Sequence, residues 1–457
     1  MEKNQKKLNK SFYIETYGCQ MNVADSEIVT SILCNDGFFL SEYLEEANII
    51  LFNSCSVREK AELTLKKRLE QLQFVKKKKK ILFGVIGCLS KKVRDLLLKE
   101  KKIDFFVNQN SYKELSNFIR YASIGKKYLY FNPQVNHQKK ETYADISPFI
   151  KKKKITTFLS ITRGCDNMCT FCIVPFTRGR EISSNPYYII DECKRLYKNG
   201  YKEITLLGQN VDSYKWNKGL ITIDFSDLLS LLAIEIPLMR IRFSTSNPHD
   251  MSDKVLKIIS KHSNICKHIH LPVQSGSNKI LKLMNRKYTR EKYLSLVKKI
   301  RTIIPECSIS HDIMTGFCNE EEKDHQDTID LMNQIQYNYG YMFSYSPRPG
   351  TYAYRKLEDN VPKNVKKERL KEIIDLQKKH SLFRLKEYLG KVQEVLIEGE
   401  SKRNNQYWYG RNTQNLVVVF PKESYKMGNI VSVKITDSTS ATLIGKIYKK
   451  TWNLSKI

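Results

Sequence analysis

Short apolar runs alternate with segments of helical period through the first three quarters of the chain, and this alternation restricts it to α/β folds built on parallel strands. Three runs come first: SFYIETYG at 11–18, NIILFNS at 48–54 and ILFGVIG at 81–87. Six more follow: TFLSIT at 157–162, EITLLG at 203–208, RIRFST at 240–245, KHIHLP at 267–272, CSISHDI at 307–313 and GYMFSYS at 340–346. Between them lie amphipathic stretches such as NPYYIIDECKRLYKN at 185–199. The first group predicts a parallel α/β sheet. The second, six βα units, predicts a partial barrel rather than an open sheet. A long charged helix over 363–389 is expected to close it. After residue 385 the pattern changes to five short strand runs with turn residues between them, from KVQEVLIEG to ATLIGKIY. That spacing predicts a small antiparallel barrel of the OB type. The expected division is an N-terminal sheet domain at 10–127, a central barrel at 150–380 and a C-terminal barrel at 383–447. The aperiodic stretch 132–154 reads as a linker.

The formal net charge is +30, mostly from lysine. Two sources are compatible with it: a lysine-rich compositional drift, and the footprint of a nucleic-acid partner. No run approaches the ~20 apolar residues of a membrane span. The basic start, MEKNQKKLNK, is not followed by the apolar segment of a secretion signal. A soluble, cytoplasmic protein with reduced thiols is expected, with no membrane partner.

There are 11 cysteines. Three stand together in GCDNMCTFCIVP at 164–175: Cys165, Cys169 and Cys172. Paired CxxC motifs would supply the four thiolates of a closed zinc site. A single CxxxCxxC with no fourth Cys or His beside it suits three irons of a 4Fe-4S cluster, leaving the fourth iron open. The triplet follows the first barrel strand, on the face where such barrels keep their active sites. Structural cysteines, or a zinc site completed from elsewhere, are the alternatives. Cys19, Cys55 and Cys88 each fall just past one of the three N-terminal runs. Carboxyl ends of parallel strands share one edge, so these thiols are expected to converge and hold a second open cluster. Three buried cysteines acting as small hydrophobes is the alternative. Cys34, Cys193, Cys266, Cys307 and Cys318 read as structural.

The triplet resembles the signature of the radical S-adenosylmethionine (SAM) enzymes, and the chain as a whole resembles the methylthiotransferases among them. The resemblance rests on YGCQMN at 17–22, NSCSVREKAE at 53–62, GCL at 87–89, RGCDNMCTFCIVPFTRGRE at 163–181, LLGQNVDSY at 206–214, RFSTSNPHDM at 242–251, HLPVQSGSNKIL at 270–281 and SYSPRPGTYA at 344–353. Arg58 and Glu59 after Cys55 resemble the branch acting on isopentenylated adenosine beside the tRNA anticodon. The final domain looks like the RNA-binding TRAM domain.

This resemblance implies two 4Fe-4S clusters and SAM as cofactors. SAM bound at the Cys165–Cys169–Cys172 cluster would yield a 5′-deoxyadenosyl radical. The Cys19–Cys55–Cys88 cluster would carry the sulfur, and a second SAM would supply the methyl group. Phe171 is expected near the adenine of SAM; Asn210, after the second barrel strand, and Arg242, at the third, are placed by position for further SAM contacts, with a structural role as the alternative. Lys402, Arg403, Tyr407 and Arg411 are expected to touch RNA, with at least one of Tyr407, Trp408 and Tyr409 in the barrel core. Implied partners are tRNA, an electron donor such as flavodoxin or ferredoxin, and a sulfur source, for a monomeric enzyme. Methylthiolation of threonylcarbamoyl-adenosine or of a ribosomal-protein aspartate, and a non-catalytic iron–sulfur or RNA-binding role, are the competing functions. The C-terminal barrel is expected to be separable from the radical barrel.

Overall fold

In the computed structural model, which describes residues 10–55, 59–125, 129–130, 141–150 and 154–448, the three N-terminal runs are neighbouring parallel strands. The sheet has six strands: β1 (Ser11–Thr16), β2 (Phe39–Leu40), β3 (Ile49–Ser54), β4 (Leu82–Gly87), β5 (Phe105–Asn108) and β6 (Leu129–Tyr130). Their order is β2-β1-β3-β4-β5-β6, all parallel. β2, β5 and β6 are short and had no distinct run in the sequence. β3 and β4 are apolar on both faces because helices cover both. Gln20–Asn35 and Leu115–Ser123 pack on one side, Glu59–Lys79 and Lys91–Lys99 on the other. The chain leaves β1 in one direction for β2 and returns past it to β3. This order puts a topological switch point between β1 and β3. Arg58 and most of the 132–154 linker lie outside the described residues, as does the Glu59 side chain.

The central run of strands begins with β7 (Thr156–Ser160), followed by the short pair β8 (Thr162–Arg163) and β9 (Ile182–Ser183). β10 (Glu203–Leu207) comes next, then a hairpin, β11 (Lys215–Lys218) and β12 (Ile221–Asp224), that the sequence pattern did not reveal. β13 (Arg240–Ser244), β14 (His268–His270), β15 (Ser308–Thr315) and β16 (Tyr339–Ser344) complete the set. Parallel pairing runs β7-β10-β13 and β14-β15-β16, and a bridge between Ile241 and Ile265 joins the two groups. The result is the expected partial barrel of six βα units. Ile204, Leu206, Ile241, Phe243, Ile269 and Ile309 face the helices and form the largest core. The opposite, inner face is polar: Arg242 bonds Glu203, and Ser310 bonds both His268 and His270. The helix Lys363–Lys386 packs along the last strands, with Gln377 bonded to the Tyr337 carbonyl and to His311.

The C-terminal strands β17 (Val392–Glu400), β18 (Tyr407–Arg411), β19 (Val417–Pro421), β20 (Ile430–Ser438) and β21 (Leu443–Ile447) close into a barrel in the order β17-β18-β19-β21-β20. Val395, Ile397, Val418, Phe420 and Val433 fill it. Trp408 packs against this core, as expected for one member of the aromatic run.

The barrel is hydrogen-bonded to its neighbour, a contact its composition did not suggest. The turn after β18 enters the amino-terminal end of the central barrel. There Arg242 donates to the carbonyls of Asn412 (2.6 Å) and Thr413 (3.1 Å), and Arg240 to those of Arg411 (3.0 Å) and Glu394 (3.1 Å). Ser308 Oγ donates to the Gln414 carbonyl at 2.5 Å. Polar residues on the inner face of the central strands thus find partners in a turn some 170 residues away, which no local pattern reveals.

Candidate functional site

The helix Gln20–Asn35 starts at the carboxyl end of β1, with Cys19 as its cap. β1, β3 and β4 are adjacent and end in register, Thr16 beside Asn53 and Ser54 beside Gly87, so the residues just past them meet. Cys19, Cys55 and Cys88 are therefore brought to one edge, as the sequence led one to expect. Glycines allow the crowding. Gly18, at φ +145°, has no room for a side chain: a Cβ there would lie 2.8 Å from Cys55 Cβ. At Gly87, φ +95°, it would lie 2.6 Å from the Ser54 carbonyl oxygen. Two asparagines form the floor. Asn22 Nδ2 donates to Asn53 Oδ1 (2.9 Å) and to the Ser54 carbonyl (3.2 Å), and Asn53 Nδ2 donates to the Asn22 carbonyl (2.8 Å). Cys88 Sγ donates to Gln109 Oε1 at 2.9 Å. The Cys19 thiol is lowered to about 6, chiefly by a hydrogen bond from Cys55 and further by the Arg178 charge, against burial. Burial pushes Cys88 up, with Arg178 opposing it.

The second set follows β8. Gly164 turns the chain at φ +80°, where a Cβ would meet the Arg180 carbonyl oxygen at 2.2 Å, and Met168 adopts φ +49°. Neighbouring segments pin the loop: Thr170 N donates to the Met284 carbonyl (3.1 Å), Asn285 Nδ2 to the Met168 carbonyl (3.0 Å), and Ala353 N to the Thr170 carbonyl (2.8 Å). Cys165, Cys169 and Cys172 come together, each within electrostatic reach of the others. Arg286 Nη1 donates to Cys169 Sγ at 3.3 Å. Burial pushes Cys172 up to about 12 and also raises Cys165. Thiols kept protonated by burial ionise readily once a metal takes up the charge.

Among the described residues, no group of three or more His, Cys, Asp or Glu side chains closes on a single ion. Cluster thiolates bind different irons at separate corners, so they need not converge on one point. Crowded glycines and, among the described residues, three thiols with no fourth ligand fit such a group at both places, and buried N–H groups without hydrogen bonds lie at the Cys19–Cys55–Cys88 edge and at the strand that leads into Cys165. Those N–H groups belong to Arg163 (Nε and Nη1) and Arg178 (Nη1).

Asn210 lies past β10, buried. Its Nδ2 donates to Asp250 Oδ2 at 2.7 Å, and its Oδ1 is buried without a partner. Nearby, burial raises Glu181 and Asp212 each to about 7. Phe171 packs edge-on to Phe317 at 6.3 Å. Arg242 is elsewhere: its guanidinium is used up by Glu203 (2.8 Å) and by the β18–β19 turn, so it serves the joint between barrels and not a cofactor. Arg411 likewise departs from expectation. It makes a two-bond ion pair with Glu398 (2.6 and 3.0 Å), which occupies the groups an RNA phosphate would need. Lys402 and Arg403 are exposed in the β17–β18 turn, and Tyr407 is half-buried at its end. Sequence reasoning did not single out Asn22, Asp25, Asn53, Arg163, Arg178 or Arg286. Four of these sit inside quoted motifs, and an arginine flanked by glycine in RGC or TRGR was the available signal.

Comparison with known proteins agrees with this arrangement. Residues 159–332 match the radical SAM superfamily, 386–448 the TRAM domain, and 11–108 a family described as Uncharacterized protein family UPF0004. Solved structures show the fold at low identity. A radical S-adenosylmethionine methyltransferase from Kitasatospora setae aligns with TM-score 0.59 at 11% identity, covering 76% of this chain and 77% of that one. Proteins named tRNA-2-methylthio-N(6)-dimethylallyladenosine synthase are far more similar. The one from Karelsulcia muelleri is 57% identical, covering 96% of this chain and 100% of its own length. The relative from Flavobacterium psychrophilum is 51% identical over 97% and 95%, and that from Bacteroides fragilis 48% over 96% and 96%. At such identity over nearly the whole of both chains, this protein belongs to the tRNA-2-methylthio-N6-dimethylallyladenosine synthase family, within the radical SAM superfamily.

Proposed function

We propose that this enzyme attaches a methylthio group to carbon 2 of N6-dimethylallyladenosine in tRNA, using SAM as methyl donor and radical source and two 4Fe-4S clusters. The substrate is the one named for its relatives. In this reading Cys165, Cys169 and Cys172 hold the cluster that binds SAM, and Cys19, Cys55 and Cys88 hold the one that carries sulfur. The observation that carries it is the convergence of two separate thiol triplets, neither with a fourth ligand among the described residues, on either side of one buried joint between the domains. Carbon 2 of adenine is an unactivated C–H. No side-chain base removes that hydrogen, and the radical supplied by cluster-bound SAM can.

The chain's own residues position and shield. Phe171 and the partnerless Oδ1 of Asn210 are suited to the adenine and polar parts of SAM. Arg286 donates to Cys169 and orients that thiolate. Lys402, Arg403 and Tyr407 engage the tRNA by phosphate contact and stacking. The base leaves the anticodon-loop stack to enter the barrel. A flavodoxin or ferredoxin supplies electrons and a separate donor supplies sulfur, to a monomer in the cytoplasm. Among the described residues, no helix is long and apolar enough to cross a membrane.

The test is anaerobic reconstitution. Wild-type protein is expected to bind about eight irons. Replacing Cys165, Cys169 and Cys172 with Ala should remove about half and end SAM cleavage. Cys19→Ala, Cys55→Ala or Cys88→Ala should each retain cleavage and stop product formation. Normal 2-methylthio product from any of these last three variants, read by mass spectrometry of tRNA nucleosides, overturns the reading.

A further inference from the structure

Between the two thiol triplets lies a buried ionic group. Asp25, on the helix that begins at Cys19, is fully buried. Its Oδ1 accepts from Arg163 Nη2 at 2.5 Å and its Oδ2 from Arg178 Nη2 at 3.3 Å, and Tyr112 OH approaches Oδ2 at 3.4 Å. Arg163 stands two residues before Cys165. Arg178 lies beside the Cys88 thiol, and its charge reaches Cys19. Both arginines are buried, at 4% and 6% exposure.

Two guanidinium groups against one carboxylate leave one positive charge in excess. Three of their nitrogens, Arg163 Nε and Nη1 and Arg178 Nη1, make no hydrogen bond to a protein oxygen or nitrogen; Arg163 lies over the Tyr143 ring at 4.8 Å, which leaves Arg178, beside the Cys88 thiol, as the cation with donors to spare. A joint that only fastened two domains would be served by a single Asp–Arg pair. A surplus buried cation with unused donors is costly unless an anion meets it. Along with Asp25, the negative groups beside Arg178 are the thiols, and a cubane cluster on three thiolates carries net negative charge.

Resting on the thiol assignment proposed above, we infer that Arg178, held in place by Asp25, is a positioning residue for the sulfur-carrying cluster, donating to its sulfur and raising its reduction potential. Hydrogen bonds and positive charge near cluster sulfur favour the reduced, more negative state. Asp25 sets the strength of this effect by balancing part of the charge. Arg163 ties the same carboxylate to the strand that leads into the second triplet, so the helix at Cys19 and the loop at Cys165 share one anchor.

The experiment uses the full chain with Cys165, Cys169 and Cys172 replaced by Ala, so that only the Cys19–Cys55–Cys88 site can be loaded. The midpoint potential of that cluster is read by redox titration followed by electron paramagnetic resonance. Adding Arg178→Met should shift the potential negative, and Arg178→Lys should recover part of the shift. Adding Asp25→Asn, which keeps the side chain's shape and removes its charge, should shift the potential positive. A role limited to fastening the domains gives no reason for opposite signs. A loaded protein whose potential ignores both Arg178→Met and Asp25→Asn, or moves the same way in both, overturns this inference alone. A background protein that binds no iron overturns the thiol assignment, and this inference with it.

Discussion

Several buried charges in this protein are met by a partner from another element, and Glu203 is the clearest case. Its side chain is 1% exposed and its partner Arg242 is 4% exposed. Despite burial, Glu203 is held below the usual carboxylate range by the Arg242 charge and hydrogen bond. Arg242→Met would leave that carboxylate buried and unpaired, a loss of ~3–5 kcal/mol. Urea unfolding should show it, and the double variant Arg242→Met/Glu203→Gln should recover much of it. A single variant as stable as wild type would contradict the joint. Asp212 is the opposite case. Burial raises its carboxyl to about 7, against hydrogen bonds from the Asn247 amide (3.0 Å) and Ser246 (3.4 Å). A carboxyl with a raised folded pKa binds its proton more tightly in the native state. Its cost is absent below the unfolded value of about 3.8, grows as pH rises, and is complete above about 7. The shift corresponds to at most ~4 kcal/mol. Asp212→Asn should therefore gain stability relative to wild type as pH rises from 4 to 7, with little difference at pH 4. Parallel melting profiles across that range would show that the carboxyl is not strained.

At the scale of single elements, the loop carrying the Cys165 triplet depends on one glycine. Gly164 has both a left-handed φ and no space for a Cβ, whose nearest neighbour would be the Arg180 carbonyl oxygen at 2.2 Å. Gly164→Ala adds ~1–2 kcal/mol of backbone strain before any clash is counted. It should lower iron at this site while sparing the Cys19 set, giving about half-loaded protein with absent SAM cleavage. Full loading would show that the loop relaxes. Both thiol sets were legible in the sequence: one from its spacing, the other because apolar runs mark where strands end. The ionic group between them was not. Asp25 lies on a helix whose buried face also includes Asn22, Ser26 and Glu27, polar residues that find partners in other strands and domains. Hydrophobic periodicity detects side chains that meet apolar neighbours, and it says nothing of polar ones satisfied at long range. The same limit hid the inner face of the barrel, where His268, His270 and Ser310 bond one another in strands that read simply as buried. The hairpin at 215–224 escaped for a different reason: most of its residues are exposed, so it has no apolar run to mark it.

Over the whole molecule, the C-terminal barrel is docked at the end of the central barrel away from the Cys165 loop, through carbonyls that satisfy Arg240 and Arg242. Ending the chain near residue 386 would leave Arg240 without its carbonyl partners and Arg242 with Glu203 alone, so the truncated protein should unfold at lower denaturant and lose SAM cleavage as well as RNA binding. A truncated protein of wild-type stability would mean the two units are independent.

The net charge of +30 poses a sharper question, because compositional drift and RNA recognition both produce exposed lysines. Position separates them. Lys402 and Arg403 stand exposed in a turn of the C-terminal barrel, next to Tyr407. Lys78 and Lys80 are equally exposed at the end of the helix Glu59–Lys79, while Lys76 in the same run is spent on Asp104 at 3.1 Å. Each phosphate contact contributes about 0.7 to 0.9 to the slope of log affinity against log salt. Lys402→Glu/Arg403→Glu should weaken tRNA binding and reduce that slope by about 1 to 2. Lys78→Glu/Lys80→Glu changes the net charge by the same amount, and under local recognition it should alter the slope much less. Filter binding across a salt series measures both. Equal losses from the two pairs would show that tRNA is held by the diffuse positive field of the chain and not by this turn.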